Sequence, residues 1–171
     1  MNKIDYTKLF KKVHMNEINI TDSDFPIIGT DSLGPCVSFL VYSEEKKCAI
    51  VSHIPDDTKD YFPILLDIIA VYNLATSPLK YTIIKGYYDN GYKIDEILEC
   101  EFQKYPNLFI PFNEIPINAI KIDEFSSSHE FAFDSRTGEF VTEKVFFGYE
   151  YNKIHETNNL KRWLIDKSKF K

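Results

Sequence analysis

The chain has 171 residues, a formal net charge of −6, 44% apolar residues and 15% aromatic residues. This length and apolar content predict one packed domain over residues 1–171, because a chain of this size buries about 70% of the surface that it exposes when unfolded. The acidic balance argues against nucleic-acid binding, which depends on basic contacts to phosphates. No apolar run approaches the roughly 20 residues that a membrane span needs.

The cysteines indicate the redox environment. Three of them, Cys36, Cys48 and Cys100, lie far apart in the chain. Their odd number and wide spacing argue against a disulfide framework and against a Cys-x-x-Cys zinc site. The N-terminal residues lack the apolar core and the cleavage site of a secretory signal. We therefore expect the protein to work in a reducing compartment, either the cytoplasm of the producing cell or that of a target cell reached without a classical signal peptide.

The elements predicted in the first half of the chain are two helices and a hairpin. Ile4–Met15 has apolar residues at helical spacing and predicts a short amphipathic helix. The segment GTDSLGP is predicted to be a glycine-containing loop that enters the hairpin. Cys36–Ser43 and Cys48–His53 are rich in β-branched and aromatic residues and predict two paired strands around the turn EEKK. A second helix is expected after the acidic turn DDTKD, which suits a helix start.

The second half mixes strands and helices. LKYTIIKGY predicts a strand, DNGY a turn and KIDEILECEFQKY a helix, and NLFIPF and NAIKI predict short strands. In HEFAFDSRTGEFVTEKV, apolar and polar residues alternate on both sides of a Thr-Gly turn, which predicts a hairpin. A terminal amphipathic helix is expected over His155–Lys167. This order predicts an α+β fold with a β-sandwich-like core of two mixed sheets flanked by helices.

A cysteine and a histidine at the outer end of the predicted hairpin suggest nucleophilic chemistry. Cys36 begins the first strand and His53 ends the second, so pairing of the strands would bring the thiol and the imidazole together. A neighbouring imidazole can lower a thiol pKa from its usual value of about 8.5. Thr30 or Ser32 in the entering loop could orient the imidazole, with Asp31 as an alternative. Each residue type alone is commonly structural, and only the joint arrangement indicates a cysteine hydrolase.

The remaining chemically active residues are expected to be structural. Cys48 and Cys100 are interpreted as packing residues, and His14, His129 and His155 as surface residues in charged surroundings. His129 has a functional alternative, because the loop SSSHE could bring it to the site. The exposed aromatic segment YYDNGY is either a substrate-binding loop or a turn with packed tyrosines.

The segment GTDSLGPCV resembles the catalytic segment of the CheD-type chemoreceptor glutamine deamidases, which has the pattern T-x-G-L-G-S-C-V. Thr30 stands six residues before Cys36, and His53 stands seventeen residues after it, as in that family. FAFDSRTGEFVTEK is similar to the family's closing hairpin. LGPC is also similar to the cysteine loop of deamidase toxins of the cytotoxic necrotizing factor and lethal factor type. The resemblance spans most of residues 25–145.

The resemblance implies a single deamidase-like domain with a CheD-like fold and a defined reaction. Cys36 would be the nucleophile that attacks the side-chain amide of a glutamine in a protein substrate. His53 would move the proton from the thiol to the departing ammonia, and Thr30 would orient the imidazole. Water would then hydrolyse the thioester to leave glutamate. The resemblance implies neither a metal nor an organic cofactor.

The sequence departs from the family pattern at three places. Pro35 replaces the family's serine, and a proline has no N–H to donate to an oxyanion. KGYYDNGY and FSSSHE replace glycine-rich segments that we expect to shape substrate contacts. These changes favour an effector or toxin that acts on another protein over a chemoreceptor deamidase. Transglutamination or proteolysis by the same cysteine and histidine, and a non-catalytic partner-binding relative, are the alternatives.

Overall fold

A computed structural model describes residues 8–55, 61–89 and 91–143, together with the backbone of Trp163–Leu164. These residues form eleven strands and two helices. The strands are β1 (Phe10–Lys12), β2 (Glu17–Ile20), β3 (Ile27–Leu33), β4 (Val37–Ser43), β5 (Cys48–Ser52), β6 (Leu79–Lys85), β7 (Phe109–Pro111), β8 (Lys121–Asp123), β9 (Ser128–Asp134), β10 (Glu139–Phe140) and β11 (Trp163–Leu164). The helices are α1 (Tyr61–Val71) and α2 (Ile94–Gln103).

The strands form two mixed sheets. The first sheet has the order β1-β3-β9-β10, and β8 also pairs with β9. The second sheet has the order β11-β2-β5-β4-β6-β7. The pairs β1–β3 and β6–β7 are parallel, and the other pairs are antiparallel. The predicted α+β class with two mixed sheets is confirmed.

Two cores lie on opposite faces of the second sheet. All seven residues of β4 are buried, as expected of a central strand covered on both faces. Leu40 and Tyr42 pack against Phe131 and Phe133 of the first sheet, which makes this core the interior of the sandwich. The residues of β4 that alternate with them pack with α1 and α2 on the other face. No helix in the described ranges is long and apolar enough to cross a membrane.

Most predicted elements are found, but three assignments are wrong. The part of the helix predicted over Ile4–Met15 that can be examined contains strand β1 instead, and residues 1–7 lie outside the described ranges. The predicted loop GTDSLGP is largely strand β3, with a bulge between Thr30 and Leu33. Trp163–Leu164 is a strand rather than a helix, and the rest of the predicted terminal helix lies outside the described residues.

The physical reason for these errors is long-range pairing. β3 is held by hydrogen bonds to β9, which lies about a hundred residues later in the chain, and β1 is held by parallel pairing to β3. Lys11 and Lys12 of β1 are buried because each has a carboxylate partner, Asp22 at 2.8 Å and Asp31 at 3.0 Å. Local spacing alone does not reveal such partners.

Gly86, directly after β6, permits a close approach of its own backbone to the segment that contains Gly34 and Cys36. A Cβ atom at this position would lie 2.1 Å from the Gly34 carbonyl oxygen and 2.4 Å from the Cys36 carbonyl oxygen. We expect Gly86→Ala to lower the free energy of unfolding by about 2–3 kcal/mol, because backbone on both sides has to shift. Gly34→Ala is the matched control, since its Cβ would lie 3.4 Å from the Tyr88 side chain and 3.6 Å from the Ser127 carbonyl oxygen, which are ordinary contacts. Urea unfolding of both variants tests this, and equal stabilities would contradict it.

Candidate active site

Cys36 and His53 lie at the same end of the β4–β5 hairpin. Cys36 directly precedes β4, and His53 directly follows β5. Val37 and Ile54 form an antiparallel bridge with N–H to carbonyl distances of 2.9 and 2.8 Å. This register places Ser38 opposite His53 and makes Cys36 its diagonal neighbour on the same face of the sheet. The thiol and the imidazole therefore extend from the second sheet toward the same region of the sandwich interior.

Thr30 reaches the imidazole from the other sheet. It lies in β3, where the sequence predicted a loop, and its Oγ1 is 2.8 Å from His53 Nδ1. The alternative orienting residues are engaged elsewhere or point away. Asp31 forms an ion pair with Lys12 at 3.0 Å, and Ser32 is an exposed bulge residue with a φ of 56°. Thr30 is therefore the residue that holds the ring.

A second hydrogen bond fixes the tautomer of His53. Thr30 Oγ1 lies 2.7 Å from the carbonyl oxygen of Val13, which can only accept. The hydroxyl proton is therefore donated to Val13, and His53 Nδ1–H donates to the hydroxyl oxygen. Nε2 of the uncharged ring then carries a lone pair. It is buried and has no hydrogen-bond partner within the described part of the chain, which makes it an available base.

The site is enclosed. Thr30 is 0% exposed, His53 4% and Cys36 5%. The Cys36 side chain packs in the core between the sheets, together with Leu33 and Leu40. Since no described group bonds to His53 Nε2, the Cys36 thiol makes no hydrogen bond to it in this conformation. The structure thus brings the three predicted residues to one end of the sandwich, with the histidine oriented and the thiol covered.

Burial controls the protonation of His53. Desolvation, followed by the positive charges of Lys12 and His14, lowers the pKa of His53 from 6.5 to about 4. Neither charge was predicted to lie near His53, because Lys12 and His14 belong to the segment that was predicted to be a helix and that contains strand β1. The ring is uncharged at neutral pH and supplies no positive charge to stabilise a resting thiolate. Its Nε2 lone pair is available to accept a proton as the thiol attacks, but the low pKa makes it a weaker base than an ordinary imidazole.

The lowered pKa of His53 makes the stability of the fold depend on pH. The unfolded chain binds a proton near pH 6.5, and the folded chain resists protonation until about pH 4, so stability falls as the pH falls through this window. We expect a loss of about 3 kcal/mol from this group, taking about 1.4 kcal/mol per pKa unit. Urea unfolding between pH 7 and pH 4 should show the loss in the wild type and a shallower slope in His53→Gln. Equal slopes would contradict the assignment.

A cleft of about 350 Å³ lies beside the nucleophile candidate. Its lining includes Pro35 and Val37, the two chain neighbours of Cys36. Tyr87 and Tyr88 from the segment YYDNGY also line it, with 44% and 54% of their surfaces exposed. His129, in strand β9, lines the same cleft. The cleft borders the backbone on both sides of Cys36, whereas the Cys36, His53 and Thr30 side chains are not part of its lining.

The other cysteines do not form a competing site. All three cysteines are thiols rather than disulfides. Burial raises the pKa of Cys48 to about 11, which makes it a poor nucleophile at neutral pH. Cys100 is exposed on α2. Within the described ranges, no group of three or more His, Cys, Asp or Glu side chains is placed to hold a metal ion.

The fold and the site together define an α+β sandwich with an oriented histidine and a cysteine on one sheet face. No protein-family model matches the chain, and no curated protein matches it significantly. The relation to the CheD-type deamidases therefore stays a prediction, based on the segment GTDSLGPCV and the positions of Thr30, Cys36 and His53.

Proposed function

We propose that this protein is a cysteine-dependent protein glutamine deamidase, a hydrolase that acts on a side-chain amide. The observation that carries the proposal is the hydrogen bond from His53 Nδ1 to Thr30 Oγ1. It joins the two sheets and leaves Nε2 as an unprotonated base on the face that also holds Cys36. Orientation of a base by a third residue, next to a nucleophile, is the general arrangement of covalent hydrolases.

The reaction follows from the roles of the three side chains. Nε2 of His53 accepts the thiol proton as Cys36 sulfur bonds to the carboxamide carbon. The C–N bond then breaks, and the nitrogen leaves as ammonia with the proton from His53. Water adds to the resulting thioester and gives its proton to His53, the C–S bond breaks, and the sulfur regains a proton. The glutamine has become glutamate, and the enzyme is restored.

Turnover requires movement at the thiol. Cys36 is 5% exposed and does not bond to His53 in the substrate-free conformation, so its side chain has to turn when a substrate enters. Catalytic hydrogen bonds are often long or misaligned before a substrate binds and tighten in the complex. A cysteine side chain has a single heavy-atom torsion, which makes such a turn a small change.

We infer that this protein is an effector or toxin and that its substrate is a protein other than a chemoreceptor. The support is the cleft beside Cys36, where the exposed rings of Tyr87 and Tyr88 replace the glycine-rich segment of the chemoreceptor deamidases. Aromatic rings of this kind are common at protein recognition surfaces. The site of action that fits this role is the cytoplasm of the producing cell or of a target cell.

Mass spectrometry of a glutamine-rich probe tests the activity. Unfolded β-casein and the capped dipeptide benzyloxycarbonyl-Gln-Gly offer glutamines without requiring the natural target. We expect release of ammonia and the mass change of amide to acid, with the casein chain whole. Gain of an added amine would indicate transglutamination, and cleaved casein would indicate proteolysis. If neither probe is changed, the deamidase proposal fails.

A non-catalytic partner-binding protein is the second candidate. The low exposure of Cys36 favours it, because an enclosed thiol is a common structural feature. In that case the probes would stay unchanged, and Cys36→Ser would bind partners as the wild type does.

A further inference from the structure

His129 extends from the first sheet into the end of the sandwich that holds Cys36. It lies in β9 on the same face as Phe131 and Phe133, which are buried between the sheets. Its Nδ1 lies 2.8 Å from the carbonyl oxygen of Lys85 in β6 of the second sheet. The ring therefore joins the two sheets, as His53 and Thr30 do.

His129 forms its hydrogen bond with Lys85, and the next residue, Gly86, lies opposite Cys36. The antiparallel register of β4 and β6 pairs Val37 with Lys85, and the next step places Cys36 opposite Gly86. The distance of 2.4 Å from a Cβ on Gly86 to the Cys36 carbonyl oxygen agrees with this register. The cleft lined by His129 also includes Pro35 and Val37 in its lining. His129 thus lines a cleft that borders both chain neighbours of Cys36, while the sulfur itself lies in the adjoining core between the sheets.

Its hydrogen bond determines which nitrogen can meet a ligand. The Lys85 carbonyl oxygen can only accept, so Nδ1 of His129 carries the proton. In the uncharged ring, Nε2 is then an acceptor, and no described residue donates to it. The Tyr87 ring packs edge-on at a centroid distance of 5.8 Å and limits the rotation of the imidazole. The result is a positioned acceptor at the wall of the cleft.

We propose that His129 Nε2 accepts an N–H of the glutamine carboxamide and positions its carbon for Cys36. This inference rests on the proposed deamidase function and specifies its substrate chemistry. A primary amide carries two N–H donors, whereas the glutamate product at neutral pH carries none. An acceptor at this place selects unreacted amides and releases the acid. His129 is a substrate-positioning residue and takes no part in proton transfer.

Two variants and two probes test the role of His129. The probes are benzyloxycarbonyl-Gln-Gly and its analogue with glutamate γ-methyl ester, which has the same carbonyl group but no N–H. His129→Phe keeps the ring contact with Tyr87 and removes both nitrogens. We expect its kcat/KM for the amide to fall about ten-fold, which corresponds to the loss of one neutral hydrogen bond. Most of this loss should appear as a higher KM, and kcat/KM for the ester should be unchanged. His129→Gln restores an acceptor and should recover the amide reaction to within about three-fold.

Each outcome has one meaning. Equal losses for amide and ester, no loss for the amide, or no recovery in His129→Gln would overturn the role of His129 while the deamidase function stands. A wild type that releases no ammonia from either the dipeptide or casein would overturn the function as well. Unfolding by urea checks that the His129 variants are folded at the assay temperature.

Discussion

Cys36→Ser should lower ammonia release from protein glutamine by at least about 10³-fold. Losses of this size are typical when the nucleophile of a set of cooperating catalytic residues is removed. A serine hydroxyl holds its proton far more tightly than a thiol does. His53, with its pKa lowered to about 4, is too weak a base to remove it. The fold should persist, because only one atom of a side chain in the sandwich core changes. Ammonia assays and urea unfolding of the same preparation measure the two effects separately.

Cys100→Ser is the matched control for this substitution. Cys100 is exposed on α2, and it lies outside the cleft that contains Pro35 and His129 in its lining. Cys100→Ser makes the same sulfur-to-oxygen change outside the candidate site, so the activity of this variant should equal that of the wild type. Full activity in Cys36→Ser would contradict the assignment of the nucleophile.

Thr30→Val should lower kcat about 10²-fold, because it removes the acceptor that fixes the His53 ring. Valine has nearly the shape of threonine but no hydroxyl, so Nδ1–H and the Val13 carbonyl lose their shared partner. Leaving these buried groups unsatisfied should also lower the free energy of unfolding by about 1–3 kcal/mol. Nitrogen NMR of the ring should show that the proton no longer resides only on Nδ1.

Thr30→Ser separates orientation from packing. It keeps the hydroxyl and removes one methyl group from a fully buried side chain, at a cost of about 1 kcal/mol of stability. We expect kcat within about three-fold of the wild type, since both hydrogen bonds can form. If serine and valine reduce kcat equally, the hydroxyl does not orient the base, and Thr30 is only a packing residue.

The parts of the fold that the sequence predicts are those set by local pattern. The β4–β5 hairpin has two apolar runs joined by a polar turn, and α1 and α2 have apolar residues at helical spacing. β1 and β3 could not be found in this way, because their hydrogen bonds are made to distant strands. Buried Lys11 is the clearest case. Its position depends on Asp22 and on the Ile20 carbonyl oxygen, at 2.8 and 2.6 Å, which only the folded chain brings near.

The candidate site was predictable in its residues but not in its chemistry. The spacing of Thr30, Cys36 and His53 identified them, and the structure places them at one end of the sandwich. The tautomer of His53 depends on the carbonyl oxygen of Val13, in a segment predicted to be helical. The low pKa of His53 depends on burial and on the approach of Lys12. Neither is visible in local spacing.

Covalent capture tests the central claim most directly. A peptide whose glutamine amide is replaced by a diazoketone reacts with a thiol that is presented to this side chain: sulfur bonds to the methylene carbon, which takes up the thiol proton, and nitrogen gas leaves. Intact mass and peptide mapping of the wild type should show one adduct, on Cys36, and none in Cys36→Ser, with Cys100 unlabelled in both. An adduct on Cys100 alone, or no adduct on Cys36, would contradict the account.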